Sequence, residues 1–185
     1  MQTLVSLVPH PASPPRLVDK LSVRLTDHAG FLWLNYEVEH RAGLLLPDKQ
    51  GRQDGLWNGT CFELFAREPG AAGYIEFNFA PSAAWAAYRF SGRRTGMTPL
   101  AGIDSPHLVD GRLEDRADEI DSNYELAATI ARDGILAGRI QIGLSAVLEE
   151  KDGTKSYWAL AHPPGAPDFH HPDCFALDIP APDAA

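Results

Sequence analysis

The sequence predicts an all-β protein: a single-domain antiparallel β-sandwich of the immunoglobulin-like or jelly-roll-like kind, with long loops and little helix. Hydrophobic and polar residues alternate with a period of two through much of the chain, which is the spacing of strands with one buried face. Glycine, proline, aspartate and asparagine interrupt this alternation at short intervals, as they do between the strands of a sandwich. The 185 residues suffice for one domain with its own core.

About nine segments have the alternation or the residue types of strands. They are residues 17–26, 31–39, 61–67, 73–79, 84–90, 123–132, 138–144, 155–161 and 174–179. The first alternates Leu21, Val23 and Leu25 with polar neighbours, and the second is rich in aromatic and β-branched residues. Turn sequences such as DHAG, EPGAAG and EKDGT separate them. A doubly wound α/β fold is excluded because it would need long helical stretches.

The remaining segments depart from this pattern. LSAVLEE, residues 144–150, predicts a short helix, and residues 41–60 and 91–122 predict two long connections of the kind that often carries function. The proline-rich sequences HPASPP and PAPDAA predict exposed chain ends. We therefore divide the chain into an N-terminal arm (1–16), a β-sandwich domain (17–179) and a C-terminal tail (180–185).

Charge and cysteine content limit the expected partners and compartment. The formal net charge is −9, which disfavours binding to nucleic acid or to an anionic membrane surface. The N-terminal sequence lacks the basic residues and the apolar run of a signal peptide, so we expect a cytoplasmic protein. Cys61 and Cys174 are the two cysteines, and in that compartment we expect both to be reduced thiols.

Three strands in the middle of the chain are predicted to share one polar face. Alternate side chains of a strand point to opposite faces, so Ile75, Phe77 and Phe79 are predicted to lie in the core. In residues 84–90 we predict that Tyr88 and Phe90 also point inward. If the three strands form a meander, the opposite face carries Glu63, Arg67, Glu76, Asn78, Trp85 and Arg89.

This mixture of carboxylates, an amide, guanidinium groups and an indole is typical of a small-ligand site. Aromatic rings can stack on the apolar faces of a sugar while planar polar groups bind its hydroxyls. The alternative is a structural ladder in which Glu63 or Glu76 forms a cross-strand ion pair with Arg89. Trp57, which precedes the first of these strands, is either a stacking platform or a plug over the end of the sandwich.

The stretch SYWALAHPPGAPDFHHPDCF, residues 156–175, predicts a strand that runs into a rigid loop. Its four prolines restrict the backbone, which suits the rim of a binding site. His162, Asp168, His170, His171 and Cys174 could ligate a metal, but their spacing matches no zinc signature. We therefore predict no metal site and assign His162, Asp168 and His170 to the rim.

Support for catalysis is weak in the sequence. No G-x-S-x-G nucleophile motif and no glycine-rich phosphate loop occurs. Cys61 lies in an apolar strand, where a structural thiol is the expected role. Glu63 and Glu76 could act as a glycosidase pair. RFSGRR, residues 89–94, predicts a solvated hairpin. No catalytic residue is assigned.

Three stretches carry a resemblance to a known family: LWNGTCFELF, GYIEFNFAPSAAWAAYRF and SYWALAHPPGAPDFHH. They resemble bacterial DOMON-like domain proteins, which are similar in turn to family-nine carbohydrate-binding modules, over roughly residues 17–179. The resemblance implies a β-sandwich that binds a sugar or haem. In the sugar modules tryptophans enclose a terminal sugar, which points to Trp57, Trp85 and Trp158. In the haem relatives Met and His are axial ligands, which points to Met97 with His162, His170 or His171.

We therefore expect a non-enzymatic binding protein for a carbohydrate or polyol, with no cofactor assigned. The residues predicted to bind the ligand are Trp57, Glu63, Glu76, Asn78, Trp85, Arg89, Trp158, His162, Asp168 and His170. The alternatives are b-type haem binding and a metal-dependent or carboxylate hydrolase. A further alternative is that the sandwich only mediates contact with a partner protein. In that case the polar face should be flat rather than concave.

Overall fold

The structure, a computed structural model, describes residues 1–41, 43–112, 122–132 and 135–182. Its strands are β1 Gln2–Pro9, β2 Val18–His28, β3 Phe31–His40, β4 Gly51–Arg52, β5 Cys61–Arg67, β6 Tyr74–Ala80, β7 Ala84–Phe90, β8 Thr98–Pro99, β9 His107–Arg112, β10 Ser122–Ala131, β11 Ile140–Glu149, β12 Lys155–Ala159 and β13 Leu177–Ile179. Three short 3-10 turns lie at Leu56–Asn58, Pro81–Ala83 and Pro172–Cys174, and the described ranges contain no α-helix. None of their helical turns is long and apolar enough to cross a membrane. The predicted all-β class is confirmed.

The strands form one continuous sheet that curls back on itself into two packed layers. Its order is β4-β7-β6-β5-β11-β12-β1-β2-β3-β10-β9, with β13 added to β11 and β8 added to β7. We call β1-β2-β3-β10-β9 the first layer and β12-β11-β5-β6-β7-β4 the second layer. Every pairing is antiparallel except that of β4 with β7. The core lies between the layers, where Tyr36 of β3 donates a hydrogen bond to the Glu63 carbonyl oxygen at 2.9 Å.

Strand β1 connects the two layers. Residues 2–7 pair with β2, whereas Val8 and Pro9 pair with Ala159 and Trp158 of β12. Assigning residues 1–16 to an arm outside the sandwich was therefore wrong for residues 2–9. The polar and proline residues of this segment gave weak alternation, but the backbone hydrogen bonds of both neighbouring strands hold it in place.

Residues 144–149 form the end of a long strand rather than the helix predicted for residues 144–150. Within β11, Ile140, Ile142, Leu144, Ala146 and Leu148 are all buried in the core. This alternation begins before residue 144 and continues through LSAVLEE, so the period of two outweighs the helix propensity of Leu, Ala and Glu.

The two long connections contain short strands. Residues 41–60 include β4 and the turn at Leu56–Asn58, and residues 91–122 include β8 and β9. Part of the second connection, residues 113–121, lies outside the described residues. The predicted tail begins at Pro180, whose carbonyl oxygen accepts hydrogen bonds at 3.2 Å from the buried guanidinium of Arg132.

Candidate ligand-binding site

The outer face of the second layer is covered by a loop that encloses a cavity. The 160–175 loop packs over this face, and a second hydrophobic cluster that includes Phe65, Tyr74, Phe169 and Phe175 fills part of the space. Gly143 permits the close approach, because a Cβ there would lie 2.8 Å from the Cys174 carbonyl oxygen. Beside this cluster a cavity of about 420 Å³ remains, a size within the range of small-ligand sites.

The cavity walls combine aromatic, charged and apolar side chains. The lining residues are Trp57, Asn58, Glu63, Glu76, Phe90, Arg94, Met97, Val147, Lys155, Tyr157, Pro167, Phe169 and His170. The surface is therefore concave, which argues against the flat face expected for contact with a partner protein.

Two glutamates from adjacent strands form the floor. Glu63 of β5 is paired with Asn78 of β6 and with Ser145 of β11, so Glu63 and Glu76 are diagonal neighbours on one face. The Glu63 carboxylate accepts a hydrogen bond from the Ser145 hydroxyl at 2.8 Å. The amide Nδ2 of Asn78 donates to Glu76 Oε1 at 2.6 Å. Because Ser145 is small, space remains above the two carboxyl groups.

Burial changes the protonation of both carboxyl groups. Glu63 is 2 % exposed and Glu76 is 4 % exposed. Burial raises the pKa of Glu63, and the neighbouring Glu76 raises it further, while the Ser145 hydrogen bond and Arg94 lower it. Burial likewise raises the pKa of Glu76 against the opposing effects of Asn78 and Arg94. The pair therefore binds protons at a higher pH than solvated glutamates do.

One oxygen of this floor has no hydrogen-bond donor. Oε2 of Glu76 is buried, and no donor among the described residues reaches it. The nearest basic atom recorded is Nδ1 of His170 at 4.0 Å, beyond hydrogen-bonding distance. A buried carboxyl oxygen without a donor is costly, so it is a position where a ligand donor would be stabilised.

His170 is held as a neutral side chain beside this floor. Its Nδ1 lies 2.7 Å from the Tyr74 hydroxyl, which accepts a hydrogen bond from the Arg94 backbone N–H at 3.2 Å. We assign the hydroxyl proton to the bond with Nδ1, which leaves the ring proton on Nε2. Burial lowers the pKa of His170 to about 4, and Arg94 and Arg93 contribute to the lowering.

Asp168 fixes the rim of the cavity. Its carboxylate accepts hydrogen bonds from Nε of Arg93 and Nε of Arg94, each at 2.9 Å, and from the His170 backbone N–H at 3.2 Å. Burial raises the pKa of Asp168, but the two arginine side chains outweigh it and the net shift is downward. Asp168 thus joins the 160–175 loop to the RFSGRR turn. This turn is exposed, as predicted, and its Arg94 also lines the cavity.

Trp57, Tyr157 and Phe169 provide the aromatic part of the wall. Gly55, with φ 74°, leads into the turn at Leu56–Asn58 that carries Trp57 to the mouth of the cavity. Trp57 is 37 % exposed and contacts Tyr88 edge-to-face, with ring centroids 5.9 Å apart. Tyr157 and Phe169 lie with ring centroids 6.1 Å apart. An exposed ring beside buried ones favours the stacking platform over the plug.

The structure brings together about half of the predicted binding residues. Trp57, Glu63, Glu76 and His170 line the cavity, Asn78 supports Glu76 from beneath, and Asp168 braces the rim. The prediction that Glu63, Glu76 and Asn78 share one face, opposite Ile75, Phe77 and Phe79, is confirmed.

The predicted orientation of β7 was wrong. Its register places Trp85 opposite Phe79 and Arg89 opposite Ile75, on the core side of the second layer. Trp85 is buried in the core with the Arg52 guanidinium over its ring, and Arg89 is exposed. Tyr88 and Phe90 lie instead on the face of Glu76. The tight connection at Ser82 and Ala83, both with positive φ, sets this register.

Two further residues lie away from the cavity. Trp158 is buried in the core and donates a hydrogen bond from Nε1 to the Ser156 hydroxyl at 2.9 Å. His162 contacts the His10 ring, and its Nε2 lies 2.9 Å from the Val8 carbonyl oxygen, so it fastens the loop to β1. Strand parity alone assigns Trp158 to the core, because its neighbour Tyr157 lines the cavity.

Several lining residues were absent from the predicted set. Arg94, Lys155, Tyr157 and Phe169 all contact the cavity. Tyr157 was recognisable from alternation within 155–161. The contributions of Arg94 and Phe169 depend on the path of two loops, which no local pattern reports.

The donors present do not form a metal centre. No group of three or more His, Cys, Asp or Glu side chains in the described ranges is arranged to hold a metal ion. Cys61 and Cys174 are both buried free thiols. Burial raises the pKa of Cys61 well above its usual value and that of Cys174 to about 11. Both sulfurs are therefore poor metal ligands and poor nucleophiles near neutral pH.

The cavity also fits a haem poorly. Met97 and His170 do both line it, whereas His171 Nδ1 accepts a hydrogen bond from the Asp173 backbone N–H. A tetrapyrrole ring has no donor at its apolar face to offer the Glu76 oxygen, and it would desolvate both carboxyl groups. A hydroxyl-rich ligand does not have this disadvantage.

Comparison with known proteins supports the architecture. Neither known protein families nor curated proteins give a match to the sequence. Among solved structures, a proposed carbohydrate-binding protein from Bacteroides uniformis ATCC 8492 superposes with a TM-score of 0.69 and 16% identity, over 94% of this chain and 83% of that one. A family 9 carbohydrate-binding module from Caldicellulosiruptor kristjanssonii, solved in complex with glucose, has a TM-score of 0.52 and 11% identity, over 90% and 78%.

The chain has the fold of a carbohydrate-binding module. The sequence resemblance to family-nine modules is therefore supported at the level of architecture.

Proposed function

We propose that this protein is a non-enzymatic binding protein for a saccharide or a similar polyol, and that the ligand occupies the cavity over Glu63 and Glu76. The main observation is the buried Oε2 of Glu76 on the floor of a cavity with aromatic walls. No hydrogen-bond donor among the described residues reaches this oxygen. A sugar provides hydroxyl donors for the floor and apolar ring faces for the wall. The glucose-bound module with the same architecture supports the choice of ligand class.

The side chains divide this task in the proposed complex. Trp57, Tyr157 and Phe169 pack against the sugar ring. Glu63 and Glu76 accept hydrogen bonds from hydroxyls. His170, fixed by Tyr74, presents Nε2–H as a donor. Asn78 and Asp168 position their neighbours without contacting the ligand.

We also propose a bacterial origin and a cytoplasmic location for this protein. We assign the chain to the bacterial DOMON-like branch and to the cytoplasm, on the three resembling stretches and on the composition.

Calorimetric titration with a panel of mono- and disaccharides tests the ligand class. We expect at least one sugar to bind, and Trp57→Ala to weaken its binding up to about tenfold, because an aromatic contact contributes about 0.5–1.5 kcal/mol beyond its area burial. Trp33→Ala is the matched control, since Trp33 is 52 % exposed on the first layer. No heat with any sugar at millimolar concentration, or equal losses in the two variants, would contradict the proposal.

Hydrolysis of a glycosidic bond is the second candidate. Two carboxyl groups with raised pKa on one cavity floor are the groups that such an enzyme uses. Chromogenic glycosides incubated with the native protein and with Glu63→Gln distinguish the two functions. Release of the chromophore by the native protein alone would favour the enzyme.

A further inference from the structure

In the described part of the chain, the two basic side chains that line the cavity are bound to groups other than the glutamates of its floor. Arg94 lines the cavity, but its Nε is bound to Asp168 at 2.9 Å. Lys155 also lines it, but its Nζ donates to the Asn58 carbonyl oxygen at 2.5 Å and lies 3.9 Å from Glu149. Both cations are therefore engaged by groups at the rim, and among the described residues neither of them forms a hydrogen bond with Glu63 or Glu76.

The residues packed around Glu76 do not balance its charge. Asn78 donates to Oε1, and Tyr88, directly opposite on β7, directs its hydroxyl to Asp54 at 2.6 Å. His170 is neutral, with Nδ1 bound to Tyr74. Glu63 adds a second carboxyl group, and the buried Cys61 thiol lies beyond Asn78. A cation for this group must therefore come from the ligand or, when the ligand is absent, from a proton.

An ammonium group satisfies Oε2 of Glu76 better than a hydroxyl does. Both donate a hydrogen bond, but the bond from an ammonium is charge-assisted and neutralises one of the two carboxylates. A quaternary ammonium lacks the N–H that this oxygen requires, so the chemistry favours a primary amine.

We propose that the ligand is an amino sugar whose primary ammonium group binds Oε2 of Glu76. The proposal rests on the proposed saccharide function and names its ligand class. The neutral part of the sugar contacts the aromatic wall, and the ammonium contacts the floor.

Titration calorimetry at neutral pH with glucosamine, glucose and N-acetylglucosamine tests this choice. We expect glucosamine to bind about tenfold more tightly than the two neutral sugars, which is the gain of a charge-assisted over a neutral hydrogen bond. Repeating the titration in buffers of different ionisation enthalpy should show proton release with glucosamine and none with glucose.

The variant Glu76→Gln preserves the shape of the side chain and removes its charge. It should abolish both the preference for glucosamine over glucose and the proton release, because the amide that remains carries no charge for the ammonium group. Glu39→Gln is the matched control: it removes one exposed carboxylate from the first layer, and it should change neither quantity. Thermal unfolding of both variants verifies that they are folded.

The outcomes separate the two proposals. Equal affinity for glucosamine and glucose, with Glu76→Gln weakening both alike, would overturn the ammonium assignment and leave saccharide binding in place. Absence of binding by all three sugars and by the wider saccharide panel would overturn both.

Discussion

Glu63 and Glu76 are the residues in which burial and function conflict. Each carboxyl group is removed from water, and each has only one hydrogen-bond donor recorded from the described residues. Leaving a carboxylate in such a position lowers the stability of the ligand-free protein. Residues of this kind are retained where a ligand compensates, so their cost in stability is itself an indication of a binding site.

The raised pKa values predict how stability depends on pH. Because the folded state binds protons more tightly than the unfolded state, the glutamate pair destabilises the fold increasingly as pH rises from the ordinary value of 4.5 to the raised pKa. We expect Glu76→Gln to remove a slope of up to about 1.4 kcal/mol per pH unit in the free energy of unfolding. Urea denaturation across this range measures it.

His170 acts in the opposite direction over part of the same range. Its pKa falls from 6.5 to about 4 in the folded state, so stability increases as pH rises between these values. The pH dependence of the free energy of unfolding is therefore compared between Glu76→Gln and the native protein. Both contain His170, so its contribution cancels in the difference. Parallel pH profiles for Glu76→Gln and native protein would contradict the prediction.

At the scale of the element, the register of β7 decides which residues reach the cavity. Trp85 lies opposite Phe79 in the core, and Tyr88 lies opposite Glu76 on the outer face. The same strand could present either set, because its two faces carry aromatic residues of similar size. Only the connection at Ser82 and Ala83 distinguishes the two arrangements.

Mutations in β7 report this register directly. We expect Trp85→Ala to lower the free energy of unfolding by about 3–5 kcal/mol, because it leaves a large hole in the core. Arg89→Ala, on the same face but exposed, should change it by less than about 0.5 kcal/mol. Urea denaturation measures both, and a small effect of Trp85→Ala would place this side chain outside the core.

At the scale of the molecule, β1 holds the two layers together. It forms six residue pairs with β2 and two with β12. Its removal would therefore leave β2 and β12 as unpaired edge strands, one in each layer. Buried Leu7 and the contact of His162 with the Val8 carbonyl oxygen also link it to the core and to the loop over the cavity.

Deletion of residues 1–9 should therefore affect the whole fold. We expect a lower midpoint of urea denaturation and a tendency to associate through the two unpaired edges. Circular dichroism with urea and size-exclusion chromatography measure these effects. Truncation after Ala181 serves as a control, because it keeps the Pro180 carbonyl oxygen that binds the buried Arg132. A fully stable, monomeric product of the first deletion would contradict the role given to β1.

The sequence by itself determined the all-β class, most strand positions and the shared face of Glu63, Glu76 and Asn78. These features follow from the local period of two, which depends only on the geometry of one strand. The tertiary structure alone decided that β1 closes the sheet, that Trp85 lies in the core, and that Arg94 and Phe169 meet the glutamates. Those features depend on register and on loop paths, which are set by contacts between residues far apart in the chain.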